Sequence, residues 1–231
     1  MLIDVQRSSD RGGTKTTWLN SRHSFSFGNY WNPNHMNFGL LRALNDDWIE
    51  PGTGFGMHSH DNMEIVTILL EGSLQHTDSM GNSGQVSGGE IQRMSAGRGV
   101  RHSETNPSKK DKVHLLQIWI DPKKLDIAPT YEQRKVSPDR NKLETAVSGD
   151  GPVFINQDAV FALGSFESGK GASYKPKREN GVYIFVIEGE ISIERYKLKE
   201  GDAAEIKDTL EVKIRAVDKC SVLLIEVPME N

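Results

Sequence analysis

Two short pairs of side chains constrain this chain more than any other feature of its sequence. His58 and His60 are separated by one residue, as are His102 and Glu104, which follow about forty positions later. Both pairs lie in runs that read as extended. In a strand, side chains two apart project from the same face. If the two strands are neighbours in one antiparallel barrel, three imidazoles and a carboxylate converge on one point. Such a nitrogen and oxygen set suits a divalent transition metal. A single H-x-H is more simply a pair of hydrogen-bonded histidines, but two such pairs with glycine-rich flanks point to a metal site.

The flanks are specific. Gly52 precedes His58 by six residues, Glu64 follows His60 by four, Gly72 closes the next strand, and Gly99 leads through Val100 and Arg101 to His102, Ser103, Glu104 and Asn106. The arrangement resembles the two signature motifs of the cupin superfamily, with two departures. The terminal glycine of the first motif sits one residue late, and Gly97 stands where many cupins carry proline. Three further stretches narrow the match: Ser21 to Gly28 (SRHSFSFG), Leu41 to Asp47 (LRALNDD) and Met94 to Glu104 (MSAGRGVRHSE). Together they resemble the pirin family, whose bacterial branch includes quercetinases. The likeness is specific from Trp18 to Pro122 and continues as general architecture beyond.

That resemblance implies metal ligation by His58, His60, His102 and Glu104, leaving Glu64, a ligand in many other cupins, in a supporting role. It implies iron first among the candidate metals, with nickel, copper, manganese, cobalt and zinc as alternatives. It also implies a dioxygenase that opens a flavonol such as quercetin with dioxygen and releases carbon monoxide, Glu104 serving as both ligand and general base. Flat substrates need an apolar slot, for which Phe55, Met57 and Met94 are the nearest candidates in sequence. The competing implication is a metal-containing, redox-responsive regulator that binds a protein partner, as animal pirins are thought to do. Ligating histidines usually donate their second ring nitrogen, so His102 is expected to have an oxygen partner.

Composition excludes several other classes. The net charge is -4 and there is no basic stripe; Lys109-Lys110-Asp111-Lys112 reads as a solvated loop, so direct nucleic-acid binding is not expected. The single Cys220 cannot form an internal disulfide, which suits a reducing cytosol. Residues 1–13 lack the apolar centre of a signal peptide and no run approaches a membrane span. A soluble, unprocessed, cytoplasmic monomer is the expectation.

Along the chain, short strands alternate with glycine turns and helical periodicity is weak, the pattern of an all-β sandwich or barrel. Asn45-Asp46-Asp47 reads as a turn between two strands, and Asp121 to Asp150 as a charged connector with a short helical piece at most. His23 and His35 lie outside the paired motifs and His76 and His114 lack a second histidine two residues away; all four read as structural, with a supporting place beside the metal as the alternative for His76. Glu188-Gly189 followed by Gly201-Asp202 echoes Glu71-Gly72 followed by Gly89-Glu90, a weak internal repeat. The expected architecture is therefore two antiparallel cupin barrels of jelly-roll type: residues 1–133 with the metal site, a linker at 134–150, and residues 151–231 without ligands. Gapless alignment of the repeat puts Lys175 and Lys177 opposite His58 and His60, and Ile214 and Ala216 opposite His102 and Glu104.

Overall fold

The computed structural model describes residues 1–230. Among these, regular structure is almost wholly β, with one 3-10 turn at Ser8–Asp10. The first half contains β1 (Leu2–Gln6), β2 (Gly12–Lys15), β3 (Leu19–His23), β4 (Leu41–Ile49), β5 (Gly54–His60), β6 (Glu64–Glu71) and β7 (Ser73–Asp78). It continues with β8 (Ser83–Ser87), β9 (Glu90–Ser95), β10 (Val100–Thr105), β11 (Val113–Ile120) and β12 (Thr130–Lys135). The second half contains β13 (Lys142–Ser148), β14 (Val153–Phe154), β15 (Val160–Phe166), β16 (Gly171–Tyr174) and β17 (Asn180–Glu188). It ends with β18 (Glu190–Ile193), β19 (Tyr196–Lys199), β20 (Ala203–Lys207), β21 (Val212–Ala216) and β22 (Cys220–Pro228).

Each half folds a seven-stranded sheet over a four-stranded one. In the first the orders are β12-β9-β6-β11-β4-β3-β2 and β5-β10-β7-β8; in the second they are β1-β20-β17-β22-β15-β13-β14 and β16-β21-β18-β19. The central strands of the two halves correspond one to one, so the weak repeat in the sequence marks two barrels of the same topology.

The barrels pack through the outer faces of their large sheets. Leu44, Val66, Ile68, Leu116 and Ile118 from one meet Phe161, Leu163, Tyr183, Phe185, Leu223 and Ile225 from the other in one continuous apolar layer. This explains the near-continuous hydrophobic runs of β6 and β11, which are buried on both faces. Chain exchange reinforces the seam: β1 leaves its own half and pairs antiparallel with β20, Asp4 lying opposite Glu205.

Three local readings need correction. Asn45, Asp46 and Asp47 form no turn; they lie inside the nine-residue strand β4. Their polarity belongs to a strand whose two faces both meet polar groups: Asp46 bonds His114 at 2.7 Å, while Asn45 and Asp47 turn into the barrel. The segment 121–150 holds β12 and β13 rather than helix, because sheet edges at β9 and β15 are open to pair them. Finally, Ala172 and Tyr174, not Lys175 and Lys177, occupy the positions of His58 and His60. Ile214 pairs with Ala172 and Val212 with Tyr174, as His102 pairs with His58 and Val100 with His60. The gapless alignment fails because the strand-to-strand connections of the two halves differ in length. Ile214 and Ala216 fall where expected, and Ala172, Tyr174, Ile214 and Ala216 include no imidazole or carboxylate. The interior of that barrel is apolar, from Ile184 and Val186 through Ile191, Ile214 and Leu224.

Candidate metal centre

In the first barrel β5 and β10 are direct neighbours, with His102 opposite His58 and Val100 opposite His60. The pairing brings the three imidazoles together: ring centroids are 4.4 Å apart for His58 and His102, 4.8 Å for His58 and His60, and 5.0 Å for His60 and His102. One ligand-type atom from each lies within 4.8 Å of the others. The His58 Nδ1 lies 2.7 Å from the carbonyl of Gly56, to which it donates, which leaves Nε2 as the nitrogen available to a metal. Burial holds His60 down to about 4 and His102 down to about 3, with the neighbouring histidines adding to the effect, so both rings stay neutral near pH 7. Neutral imidazoles carry the lone pairs that metals bind.

Both ring nitrogens of His102 are buried and have no hydrogen-bond partner, contrary to the oxygen partner expected for one of them. The cause is local: the ring is hemmed in by the rings of His58, His60 and His76, the last at 5.4 Å, and no carbonyl or carboxylate oxygen comes within hydrogen-bond distance. His76 is fully buried, stacks on Tyr131 at 4.6 Å and contacts Asp78 through Nε2 at 3.2 Å. It also groups with His102 and Glu104 within ligand distance. It buttresses the cluster from behind, the supporting place that its sequence position left open, with Asp78 two residues on along the same strand.

Glu104 is buried, and two amides fix its carboxylate. Gln92 donates to Oε1 at 2.8 Å and Gln117 to Oε2 at 2.9 Å. The two glutamines are themselves aligned by Thr67, whose hydroxyl bonds Gln117 Oε1 at 3.2 Å. Strand register explains the set. Gln92 pairs with Thr67, Thr67 with Gln117, Gln117 with Asn45 and Asn45 with His23, a polar row across five strands on one sheet face.

That face and the four-stranded sheet enclose a cavity of about 350 Å³. His58, His60, His102 and Glu104 line it, with Phe27, Phe55, Ile65, Leu19 and Trp119 as apolar walls and Ser21, His23, Asn45 and Asp47 as a polar one. Its volume falls in the range of small-molecule sites. A larger cleft of about 570 Å³ runs along the seam between the barrels and touches none of the four cluster residues.

Of the three expected lining residues only Phe55 lines the cavity. On a regular strand Phe55 and Met57 would share the face opposite His58. A bulge intervenes: the register shifts between the His102–His58 and Glu104–Phe55 pairs, which returns Phe55 to the inner face and leaves Met57 half exposed outside. Met94 is fully buried against Ile65, Ala96 and Val100, sealing the barrel end rather than the cavity wall. Residues the sequence reading passed over, Trp119, Gln117, Asn45, Asp47 and His23, share one signal, since polar or aromatic side chains recur at alternate positions of β3, β4 and β11. Glu64 faces the other way. Its Oε2 accepts the Ser95 hydroxyl at 2.8 Å and the backbone N–H of Asn156 at 3.1 Å, which ties the two barrels together.

Gly97 explains one departure from the cupin pattern. Its φ of +47° is closed to proline, and a Cβ there would meet the carbonyl oxygen of Ile127 at 2.1 Å.

Comparison with known proteins agrees with this architecture half by half. A family model described as Pirin matches residues 4–120, and one described as quercetinase C-terminal cupin domain matches residues 145–227. The chain is 41% identical over 229 residues to a quercetin 2,3-dioxygenase of Escherichia coli K12, covering 98% of this chain and 99% of the relative. It is 35% identical to a pirin-like protein of Caulobacter vibrioides, covering 97% and 99%. The crystal structure of bacterial pirin YhhW from Escherichia coli in complex with nickel(II) superposes with a TM-score of 0.94 at 40% identity, over 98% of this chain and 99% of that one. The chain belongs to the pirin family, as a two-barrel cupin of the quercetin 2,3-dioxygenase-like type.

Proposed function

We propose that the first barrel holds one divalent transition metal on His58, His60, His102 and Glu104, and that the protein opens the heterocyclic ring of a flavonol such as quercetin with dioxygen, releasing carbon monoxide. The observation that carries this reading is that the ligand atoms of three imidazoles lie within 4.8 Å of one another and that these rings, with the buried Glu104 carboxylate, line one cavity that has both aromatic and polar walls. An unpartnered ring nitrogen of His102 beside His58 and His60 fits a bound cation, because buried polar atoms normally have partners. When bound, the metal supplies Lewis acidity to a substrate hydroxyl and a redox-active centre for dioxygen. The relative solved with nickel(II) supports a metal in this fold, and the identity of the metal here is open to assay.

The chain's own residues then have separable tasks. Phe27, Phe55 and Trp119 give a flat ring system its walls and keep water from the reacting carbons. Glu104 takes the proton of the flavonol hydroxyl next to the ring carbonyl. Each carboxylate oxygen has two lone pairs, so the amide bonds from Gln92 and Gln117 hold it in place while leaving acceptor capacity free. With that proton gone the ring is electron-rich enough to react with dioxygen. Both oxygen atoms enter the opened product and one ring carbon leaves as carbon monoxide.

The test is an aerobic assay of metal-loaded protein that follows loss of quercetin absorbance and traps carbon monoxide. Stoichiometric carbon monoxide supports the reading. Full metal loading with no turnover of any flavonol would transfer the site to the regulatory role that animal pirins suggest.

A further inference from the structure

Asp47 is a feature that the metal centre and the base do not absorb. It lies on β4, on the sheet facing the histidines across the cavity, and its side chain is one of the cavity's walls. It is almost fully buried, and its Oδ1 has no hydrogen-bond partner. The Ser21 hydroxyl reaches the carboxylate, but among the described residues no cation pairs with it. The nearby guanidinium of Arg11 is spent on the opposite face of the strand, where it lies 3.6 Å from Asp46, which the His114 ring also bonds at 2.7 Å.

An unpaired carboxylate in such a place is costly to fold around, and an apolar residue of similar size would be favoured there on packing grounds alone. Burial, followed by the repulsion of Asp46 and Glu104, pushes its carboxyl up to about 7 against the bond from Ser21. What the position lacks is a donor. Among the cavity's walls, the residues beside it, Ser21, His23 and Asn45, are polar as well, whereas Phe27, Phe55, Ile65 and Trp119 are not. Polar groups are thus gathered at the β3–β4 side, opposite the histidines of β5 and β10.

We infer that Asp47 is a specificity-determining residue that accepts a hydrogen bond from a phenolic hydroxyl at the end of the ligand farther from the histidines, so that the cavity selects polyhydroxylated flavonols over 3-hydroxyflavone. This deepens the proposed function and rests on it for the class of ligand. The chemistry is a hydrogen bond between a neutral O–H and the ionised carboxylate, which is stronger and more directional than one between neutral groups, so the binding comparison is made at pH 8, above the value of about 7 to which burial pushes Asp47. A ligand without that hydroxyl leaves the carboxylate buried and unpaired, which is how polar sites reject analogues that lack a donor.

The experiment measures binding rather than turnover. Metal-loaded protein under argon is titrated with quercetin and with 3-hydroxyflavone while tryptophan fluorescence is followed, Trp119 being a wall of the cavity. The parent, Asp47→Asn and Asp47→Leu are compared, with a thermal melt on each. The parent is expected to prefer quercetin by about tenfold or more, in line with a charge-assisted hydrogen bond. Asp47→Leu should reduce that preference to about threefold or less by weakening quercetin, with 3-hydroxyflavone held as well or better; Asp47→Asn should fall between. If Asp47→Leu does not fold, Asp47→Asn decides by the same criterion. An unchanged preference in the folded variants, an equal loss for both flavonols, or a parent that binds neither would overturn the inference. The reaction is judged separately in air. Asp47-dependent selectivity without carbon monoxide refutes the proposed reaction and leaves this inference standing, and carbon monoxide without such selectivity does the reverse.

Discussion

Glu104 carries the heaviest chemical load of any single residue, and its environment makes the load testable. The amides of Gln92 and Gln117 fix its orientation and leave acceptor capacity on both oxygens. Replacing it with glutamine keeps one coordinating oxygen and removes the proton acceptor. Turnover of quercetin should then fall by roughly 10²- to 10⁴-fold while metal analysis of the same preparation still finds most of the metal. If activity returns with excess metal, Glu104 is a ligand and nothing more. A second carboxylate offers a test that does not involve the site. Glu205 faces Asp4 across the β1–β20 pair, and burial, helped by Asp4 and opposed by Lys207, pushes it up to about 7. Because its folded value lies above the unfolded one, the folded state binds the proton more tightly. Stability from this group is therefore intact below about pH 4.5 and is lost as pH rises toward 7. Glu205→Gln should raise the melting temperature by several degrees at pH 8, on the order of 2 kcal/mol, and change it little at pH 4.5.

At the scale of strands, the site depends on how closely β5 and β10 approach. Gly54 has a φ of +153°, and a Cβ on it would meet the Glu104 carbonyl oxygen at 2.3 Å. Gly54→Ala should push the strands apart, lower stability by about 1–3 kcal/mol and weaken metal binding at the same time. Calorimetry with a metal titration checks both. The same pair shows what could be read in advance. Two residues of spacing on an extended run were enough to bring His58, His60, His102 and Glu104 together, because parity along a strand is local. The bulge between Phe55 and His58 was missed although Gly56 stands between them: a strand glycine marks either a bulge or a close backbone approach, and here the bulge reverses the face on which Phe55 lies. Asn45 to Asp47 misled for a related reason. Polar residues in sequence suggest solvent, whereas here they turn toward a cavity on one side and toward Arg11 and His114 on the other.

Across the whole molecule, the two barrels share one apolar layer and exchange β1, which Arg7 anchors to Asp202 at 2.8 Å. Neither half buries its outer sheet face alone. Thermal unfolding should therefore show a single transition by calorimetry; two separated transitions would mean that the seam contributes little. The repeat of glycines was visible in sequence, but the exchange of β1 was not, since strand pairing over some 200 residues leaves no local pattern. Asymmetry between the barrels then gives the central claim its sharpest form: one interior is polar and ligand-rich, the other packed with aliphatic side chains. The deciding measurement is a titration of metal-stripped protein with a divalent transition metal, with quercetin consumption and carbon monoxide release measured in air at each addition. The expected result is a linear rise that stops at one equivalent per chain, with no response from a His58→Ala, His60→Ala double variant. Activity before any metal is added, a plateau at two equivalents, or a double variant that matches the parent would contradict it.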